Sequence, residues 1–343
     1  MIRKSAAAAA LLLSLLAAGC ADEDDGGDDG KKGGGGQKTP EGVAFFGFTK
    51  ANSFTVATFD GVKEQAEKEG TEAEFFDAEF DAQTQVKQMQ DAITSQRFDV
   101  FVVQAVDGAS VVPAVRSAIR EDISVVVQFT PVGTAYDTPE PQVDGAISLV
   151  DVPVENGRRL GELGTGACEA RGGSGGAEPC QVAYLEGLKA LPLDNARTEA
   201  VVETLKSGSG IEVVARVEGG YTRESGRTAM QDVLQAHPGV DVVIGSSQAV
   251  LGAEKAADGK DITYVGNGAS RQAVSAVKEG RWYGIPYLPV TTSGAKAVEL
   301  GMAHARGEDV PAATDMASLA AEKEGVYTKK EITSLGITGE YDE

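Results

Sequence analysis

The chain has 343 residues and a formal net charge of −21 at neutral pH, from 52 acidic and 31 basic side chains. The basic residues form no cluster and no stripe, which excludes an electrostatic surface for nucleic acid. With only three cysteines and two histidines the sequence has no Cys/His cluster of metal-ligand spacing, and the acidic balance itself bears on solubility rather than on the choice of ligand.

In chain order the first element is an apolar run from Ala6 to Ala18, preceded by Arg3 and Lys4 and ending in Ala-Ala-Gly-Cys at Cys20. The run is too short to span a bilayer, and the order basic, apolar, small, cysteine suits an export signal that is later removed. Residues 1–19 therefore read as a lipoprotein signal peptide. Cys20 reads as the lipidated first residue of the mature chain, anchored to the cell membrane outside the cytoplasm. Each buried methylene contributes about 0.8 kcal/mol, so two or more acyl chains hold durably. Residues 20–41 read as a disordered tether, because carboxylates, Lys31, Lys32 and a run of glycines leave almost no apolar surface to offset the entropy of ordering. The folded part then spans about 300 residues, which suits two cores better than one.

From Gly42 onward, apolar β-rich runs alternate with amphipathic helical ones, an α/β pattern. Residues 42–48 predict a strand, and Val56, Phe59, Val62 and Ala66 recur at helical spacing until Gly70 stops them. A strand over 72–76 and a helix carrying Val86, Met89 and Ile93 follow. Next come a strand over 99–103 and a helix marked by Val111, Val112, Val115 and Ile119. Strands over 123–128 and 146–150 flank a proline-rich loop. Their near-continuous apolar character suits a parallel sheet covered on both faces. The pattern then restarts with a helix from about Glu155, strands over 181–185, 211–217, 240–244 and 262–265, and helices over 195–206, 224–237, 248–257 and 270–279. His237 reads as a helix cap and Trp282 as packing. Residues 283–289 read as an extended crossover, 294–306 as the last helix, and the acidic carboxyl terminus as irregular. Cys168 and Cys180 bracket a glycine-rich loop on which a disulfide is geometrically easy in an exported protein. By the chain-entropy model it stabilises by up to about 3 kcal/mol; two unpaired thiols are the alternative.

Four stretches then carry a family likeness. They are Thr49-Lys-Ala-Asn-Ser-Phe-Thr-Val-Ala-Thr-Phe-Asp-Gly-Val-Lys63, the segment from Ala229 to Ala253 that includes His-Pro-Gly-Val-Asp-Val-Val-Ile-Gly-Ser-Ser, Val265-Gly-Asn-Gly-Ala269, and Ala276-Val-Lys-Glu-Gly-Arg281 with Ile285-Pro-Tyr-Leu-Pro289. In order and spacing they resemble the type I periplasmic binding proteins, specifically the ribose-binding-protein-like sugar group, over nearly all of residues 42–310. The resemblance implies two doubly wound parallel-sheet lobes joined by a three-crossing hinge, with ligand held in the cleft. The crossings are expected near 151, 287 and 317. The first lobe would then combine residues 42–151 with 288–317, and the second 152–287 with 318–343.

The resemblance also implies site residues. Asn52 would meet hydroxyls, Phe54 the apolar face of a ring, and Gln104 follows the third strand. Phe129-Thr130 replaces an Asp-Arg pair, Asn195 or Arg197 takes the place of a binding arginine, and Tyr221 that of a stacking aromatic. Ser246-Ser247 replaces Asn-Asp, Asn267 lies between glycines where relatives carry Phe-Asp-Gly, and Tyr287 replaces the crossover glutamine. Each has a structural alternative: Asn52 as a helix cap, Phe54, Tyr221 and Tyr287 as ordinary packing or surface aromatics, Asn267 as a turn residue, and Arg197 as one half of a surface salt bridge.

The departures share a direction, since carboxylates give way to neutral amides, hydroxyls and aromatics. The expected ligand is neutral, flatter or less hydroxylated than a simple pentose. The expected role is that of a lipid-anchored, monomeric receptor that delivers a sugar-like molecule to an ABC transporter permease by hinge closure, with no cofactor, no metal and no nucleic acid as partner. A sensory subunit of the same fold reporting to a membrane receptor is the alternative. An exported hydrolase is disfavoured by the lack of a Gly-x-Ser-x-Gly elbow on a strand-to-helix turn and of a phosphate-cradling loop.

Overall fold

The structure, a computed structural model, describes residues 41–172 and 178–343. The signal segment, Cys20 and the tether up to residue 40 lie outside the described residues. Glu41, assigned by its sequence to the tether, belongs to the folded body: its amide donates to the Asp99 carboxylate at 2.5 Å and its carbonyl accepts from the Thr71 hydroxyl.

The first run of elements is β1 (Gly42–Gly47), α1 (Ser53–Lys68), β2 (Glu72–Asp77), α2 (Ala82–Ser95), β3 (Val100–Val103), α3 (Gly108–Arg120), β4 (Ser124–Phe129) and β5 (Ile147–Val150). The second is α4 (Pro153–Ala170), β6 (Cys180–Glu186), α5 (Pro192–Ser207), β7 (Ile211–Glu218), α6 (Arg223–Ala236), β8 (Val242–Gly245), α7 (Ser247–Ala256), β9 (Thr263–Val265), α8 (Arg271–Glu279) and β10 (Trp282–Pro286). The chain ends with α9 (Val290–Ala305), β11 (Ala313–Asp315), β12 (Val326–Thr328) and α10 (Lys329–Leu335).

Two six-stranded sheets result, in the orders β2-β1-β3-β4-β5-β11 and β7-β6-β8-β9-β10-β12. Among the described strands all pairings are parallel except that of β10 with β12. Strands β1, β3, β4 and β5 are buried along their whole length, as a parallel sheet covered on both faces requires. The chain passes between the sheets between Val150 and Pro153, between Pro286 and Val290, and again between Asp315 and Val326.

The carboxyl-terminal region is not irregular. β11 adds to the edge of the first sheet beside β5, and β12 to the edge of the second beside β10, with Tyr327 fully buried. Three-residue strands of this kind take their stability from the edge they join rather than from their own periodicity, which is why the sequence pattern passes over them. The expected crossover over 283–289 is for the most part β10, which pairs with β9 and β12, and only the residues after Pro286 cross between the sheets. The last segment also reaches both sheets' helices: the Glu340 carboxylate accepts from the first amides of α9 at Thr291 and Thr292, and Arg271 at the start of α8 pairs with Asp342 at 2.7 Å.

Helix starts are set locally by side-chain caps. Asn52, Asp81, Asp107, Ser246 and Ser270 each accept from an amide of the first turn of α1, α2, α3, α7 and α8, replacing hydrogen bonds that the helix cannot supply itself. Helices α1 and α9 touch through glycines: a Cβ on Gly61 would lie 1.9 Å from the Thr291 carbonyl oxygen, and one on Gly294 would lie 2.1 Å from that of Thr58. Cys168 on α4 and Cys180 at the start of β6 are joined by a disulfide with their Cα atoms 5.8 Å apart.

Candidate binding site

A cavity lined by residues of both lobes lies between the two sheets. Its walls come from segments that follow the carboxyl ends of strands in both lobes, where open α/β sheets place ligands.

The first lobe contributes Phe48 and Asn52 after β1, Phe54 in the first turn of α1, Phe80 after β2, and Phe129 at the end of β4; Leu288 joins them from the second crossing. The rings brace one another. Phe48 stacks on Phe80 with centroids 5.8 Å apart, and Phe129 sets its ring edgewise to both Phe54 at 4.8 Å and Phe48 at 6.1 Å. Phe129 has φ +66, and the amide of Thr130 donates to the Gln128 carbonyl at 2.8 Å, a tight three-residue turn that breaks the strand. A non-glycine residue held there costs about 1–3 kcal/mol, a strain that persists only where surrounding packing enforces it. Asn52 uses both ends of its amide: Oδ1 accepts from the Thr55 amide at 3.2 Å, and Nδ2 donates across the cleft to the Tyr221 carbonyl at 3.3 Å.

The second lobe contributes Leu191 and Leu193, Arg197 on α5, Tyr221 after β7, Ser246 and Gln248 around the start of α7, and Asn267 after β9. Arg197 is buried and embedded in carboxylates. Its Nη1 donates to Asp194 Oδ1 at 2.7 Å and to the Tyr221 hydroxyl at 3.3 Å, and its Nη2 lies 3.7 Å from Asp151 Oδ2. The Tyr221 hydroxyl in turn donates to the same Asp194 oxygen at 2.5 Å. Burial raises Asp194 above the usual carboxylate range against the pull of Arg197. Burial also pushes Asp151 up to about 7, opposed by Arg197 and assisted by Asp315. Tyr221 is held well above its ordinary value by burial and by Asp194, so it stays a donor. Asn267 and Asn156 exchange amide hydrogen bonds at 3.0 and 3.2 Å. Ser246 caps α7 and donates to the Gly220 carbonyl at 2.8 Å.

Of the residues implied by the sequence, the cavity gathers Asn52, Phe54, Phe129, Arg197, Tyr221, Ser246 and Asn267. Three others lie elsewhere. Gln104 is fully buried inside the first lobe, its amide nitrogen donating to the Thr58 hydroxyl of α1 at 3.2 Å. Asn195 is exposed and donates to the Lys189 carbonyl; two residues further along a helix the direction turns by about 200°, so Arg197 faces the cleft and Asn195 faces away. Tyr287 packs on Tyr327 with ring centroids 5.6 Å apart and donates to the Thr338 carbonyl, held by the carboxyl-terminal segment. Sequence reasoning missed Phe48, Phe80, Leu191, Leu193, Gln248 and Leu288, along with Asp151, Asp194 and Asn156 as holders of the polar groups. The i, i+3 spacing of Asp194 and Arg197 was the available signal. Asn52 and Ser246 are both cap and wall, so their two readings coexist.

Two doubly wound lobes, three crossings and a cavity at the strand ends define a two-lobe α/β binding protein of the type I periplasmic class. Residues 43–309 match the periplasmic binding protein domain family, and the chain belongs to it. Among relatives, it is 25% identical over 234 residues to the ribose import binding protein RbsB of Bacillus subtilis, covering 67% of this chain and 70% of the relative. Among solved structures, it is similar to an ABC transporter solute-binding protein from Bacillus halodurans with bound myo-inositol, with a TM-score of 0.72, 21% identity, and coverage of 88% of this chain and 98% of that one. It is also similar to the periplasmic binding protein of the arabinose ABC transporter from Shewanella sp. ANA-3, bound to arabinofuranose, with a TM-score of 0.70, 20% identity, and coverage of 86% and 94%.

Proposed function

We propose that this protein is a lipid-anchored receptor outside the cytoplasm that holds a neutral, sugar-like solute between its lobes and presents it to an ABC importer. The observation that carries the reading is that Arg197, the one cation among the described lining residues, is hydrogen-bonded to Asp194 at 2.7 Å and has Asp151 at 3.7 Å, both from within the protein. A charged solute entering a desolvated cleft needs a countercharge of its own; a neutral one needs only hydrogen-bond partners and apolar surface. The family and the sugar and polyol ligands named for its relatives support the same class of cargo. The basic, apolar, small-residue and cysteine order at residues 3–20 supports export and anchoring at Cys20. Function then lies in conformational preference: the solute shifts the lobes toward the closed form only by the extent to which it binds that form better, and the three crossings are the places where a hinge would bend. Calorimetric titration of the full chain with D-ribose, L-arabinose, myo-inositol and other neutral sugars, set against amino acids and carboxylates, tests the reading. Saturable binding of a neutral class alone is expected, and binding confined to charged solutes would refute it.

A further inference from the structure

We infer that the cargo is an amphipathic sugar derivative, a neutral polar head bearing an aromatic or alkyl substituent, and that the substituent sits on the first lobe's wall; the inference rests on the receptor reading above. The first lobe offers the cavity Phe48, Phe54, Phe80 and Phe129, and its single polar lining residue there, Asn52, has both amide functions engaged. Across the cleft most polar groups are engaged as well: the Tyr221 hydroxyl with Asp194, Ser246 with Gly220, and Asn267 with Asn156. Two free capacities remain among the described lining residues. Arg197 is buried with Nε and Nη2 lacking hydrogen-bond partners, and the Gln248 amide makes no hydrogen bond to a described residue.

A plain sugar carries a hydroxyl on nearly every carbon, each with one donor and two acceptor sites. A wall of phenyl rings satisfies none of these, and a buried hydroxyl without a partner weakens binding. The same wall favours apolar area removed from water. The cavity therefore divides its ligand: a few polar atoms directed at Arg197 and Gln248, and an apolar part among four rings whose mutual contacts already fix their orientation. Phe48 and Phe129 are themselves buried and brace the half-buried Phe80 and Phe54.

The test is calorimetry on the full chain with matched pairs: D-glucose and phenyl β-D-glucopyranoside, D-galactose and its 6-deoxy form D-fucose, D-ribose and a phenyl riboside. The substituted or deoxy member of at least one pair is expected to bind about tenfold tighter than its parent. Phe54→Ala is expected to cut that advantage, read as the ratio of the two affinities, at least about threefold relative to the native chain. Because the pairs are compared on the native chain, the result stands even where the variant does not fold. Parents that bind as tightly as their partners, or tighter, overturn the inference and leave the receptor reading intact. Failure of every member to bind also overturns the inference, and the titration with L-arabinose, myo-inositol and charged solutes then decides the receptor reading separately.

Discussion

The wall of the cavity built by the first lobe is held together by ring contacts, whereas the wall built by the second is held by charge and amide pairs. Both sheets are parallel apart from β12 and present strand ends to the cleft, so the difference arises in the loops that follow them. In the first lobe those loops deliver Phe48, Phe80 and a strained Phe129; in the second they deliver Tyr221, Ser246 and Asn267, with Arg197 from α5. The fold thus fixes where ligand is met and leaves the chemistry of each side to be set separately. The second wall is tied to the first crossing through Asp151, next to Arg197, and the first wall to the second crossing through Leu288; Arg159 on α4 pairs with Asp315, where the third begins, at 3.5 Å.

The comparison breaks most severely at Arg197. Arg197→Ala leaves Asp194 and Asp151 buried without their cation, and a loss of about 3–5 kcal/mol of unfolding free energy is expected in denaturant melts; a loss below about 1 kcal/mol would show that the second wall does not depend on this network. Phe129→Ala tests the first wall, with an expected loss of about 3 kcal/mol. Phe129→Gly also removes the ring but accepts φ +66 without strain, so it is expected to be about 1 kcal/mol less destabilising than the alanine variant. The reverse order would remove the strained turn from the account.

The second wall is also expected to respond to pH. Asp151 has its folded-state value raised to about 7 from an ordinary 3.8. Between those values the folded chain holds a proton that the unfolded chain has released, so this group makes stability fall as pH rises from about 4 to about 7 and level off above. Asp151→Asn is expected to flatten that part of the stability profile; an unchanged slope would assign it to other groups. The smallest effects separate cap from bystander. Asn52→Ala, which removes a cap and a bond across the cleft, is expected to lose about 1 kcal/mol, while Asn195→Ala stays within about 0.5 kcal/mol and leaves solute affinity unchanged.

The alternation of apolar runs made the order of strands and helices legible from Gly42 to α9, and the strand-end rule then located the cleft. What was not legible depended on partners distant in sequence. Strands β11 and β12 exist because β5 and β10 offer edges to them, and Gln104 turns inward because Thr58 of α1 lies within reach. Phe48 and Phe80 read as ordinary apolar residues until the sheet brings the ends of β1 and β2 together. Arg197 was legible as a cation near the site and Asp194 as a partner three residues before it, but no local spacing reveals Asp151, 46 residues earlier in the first crossing.

The most direct test of the central claim, a cavity whose lining cation is already paired from within the protein and that has one apolar wall, is the unfolding midpoint of the full chain with a phenyl β-D-glycoside or with the matching glycuronide, which differs by one carboxylate. The neutral glycoside is expected to raise the midpoint, by the equivalent of about 2.7 kcal/mol at a hundred times its dissociation constant, and the glycuronide is expected to leave it unchanged. A midpoint raised more by the glycuronide would contradict the account, because it would mean that Arg197 keeps a charge free for its ligand.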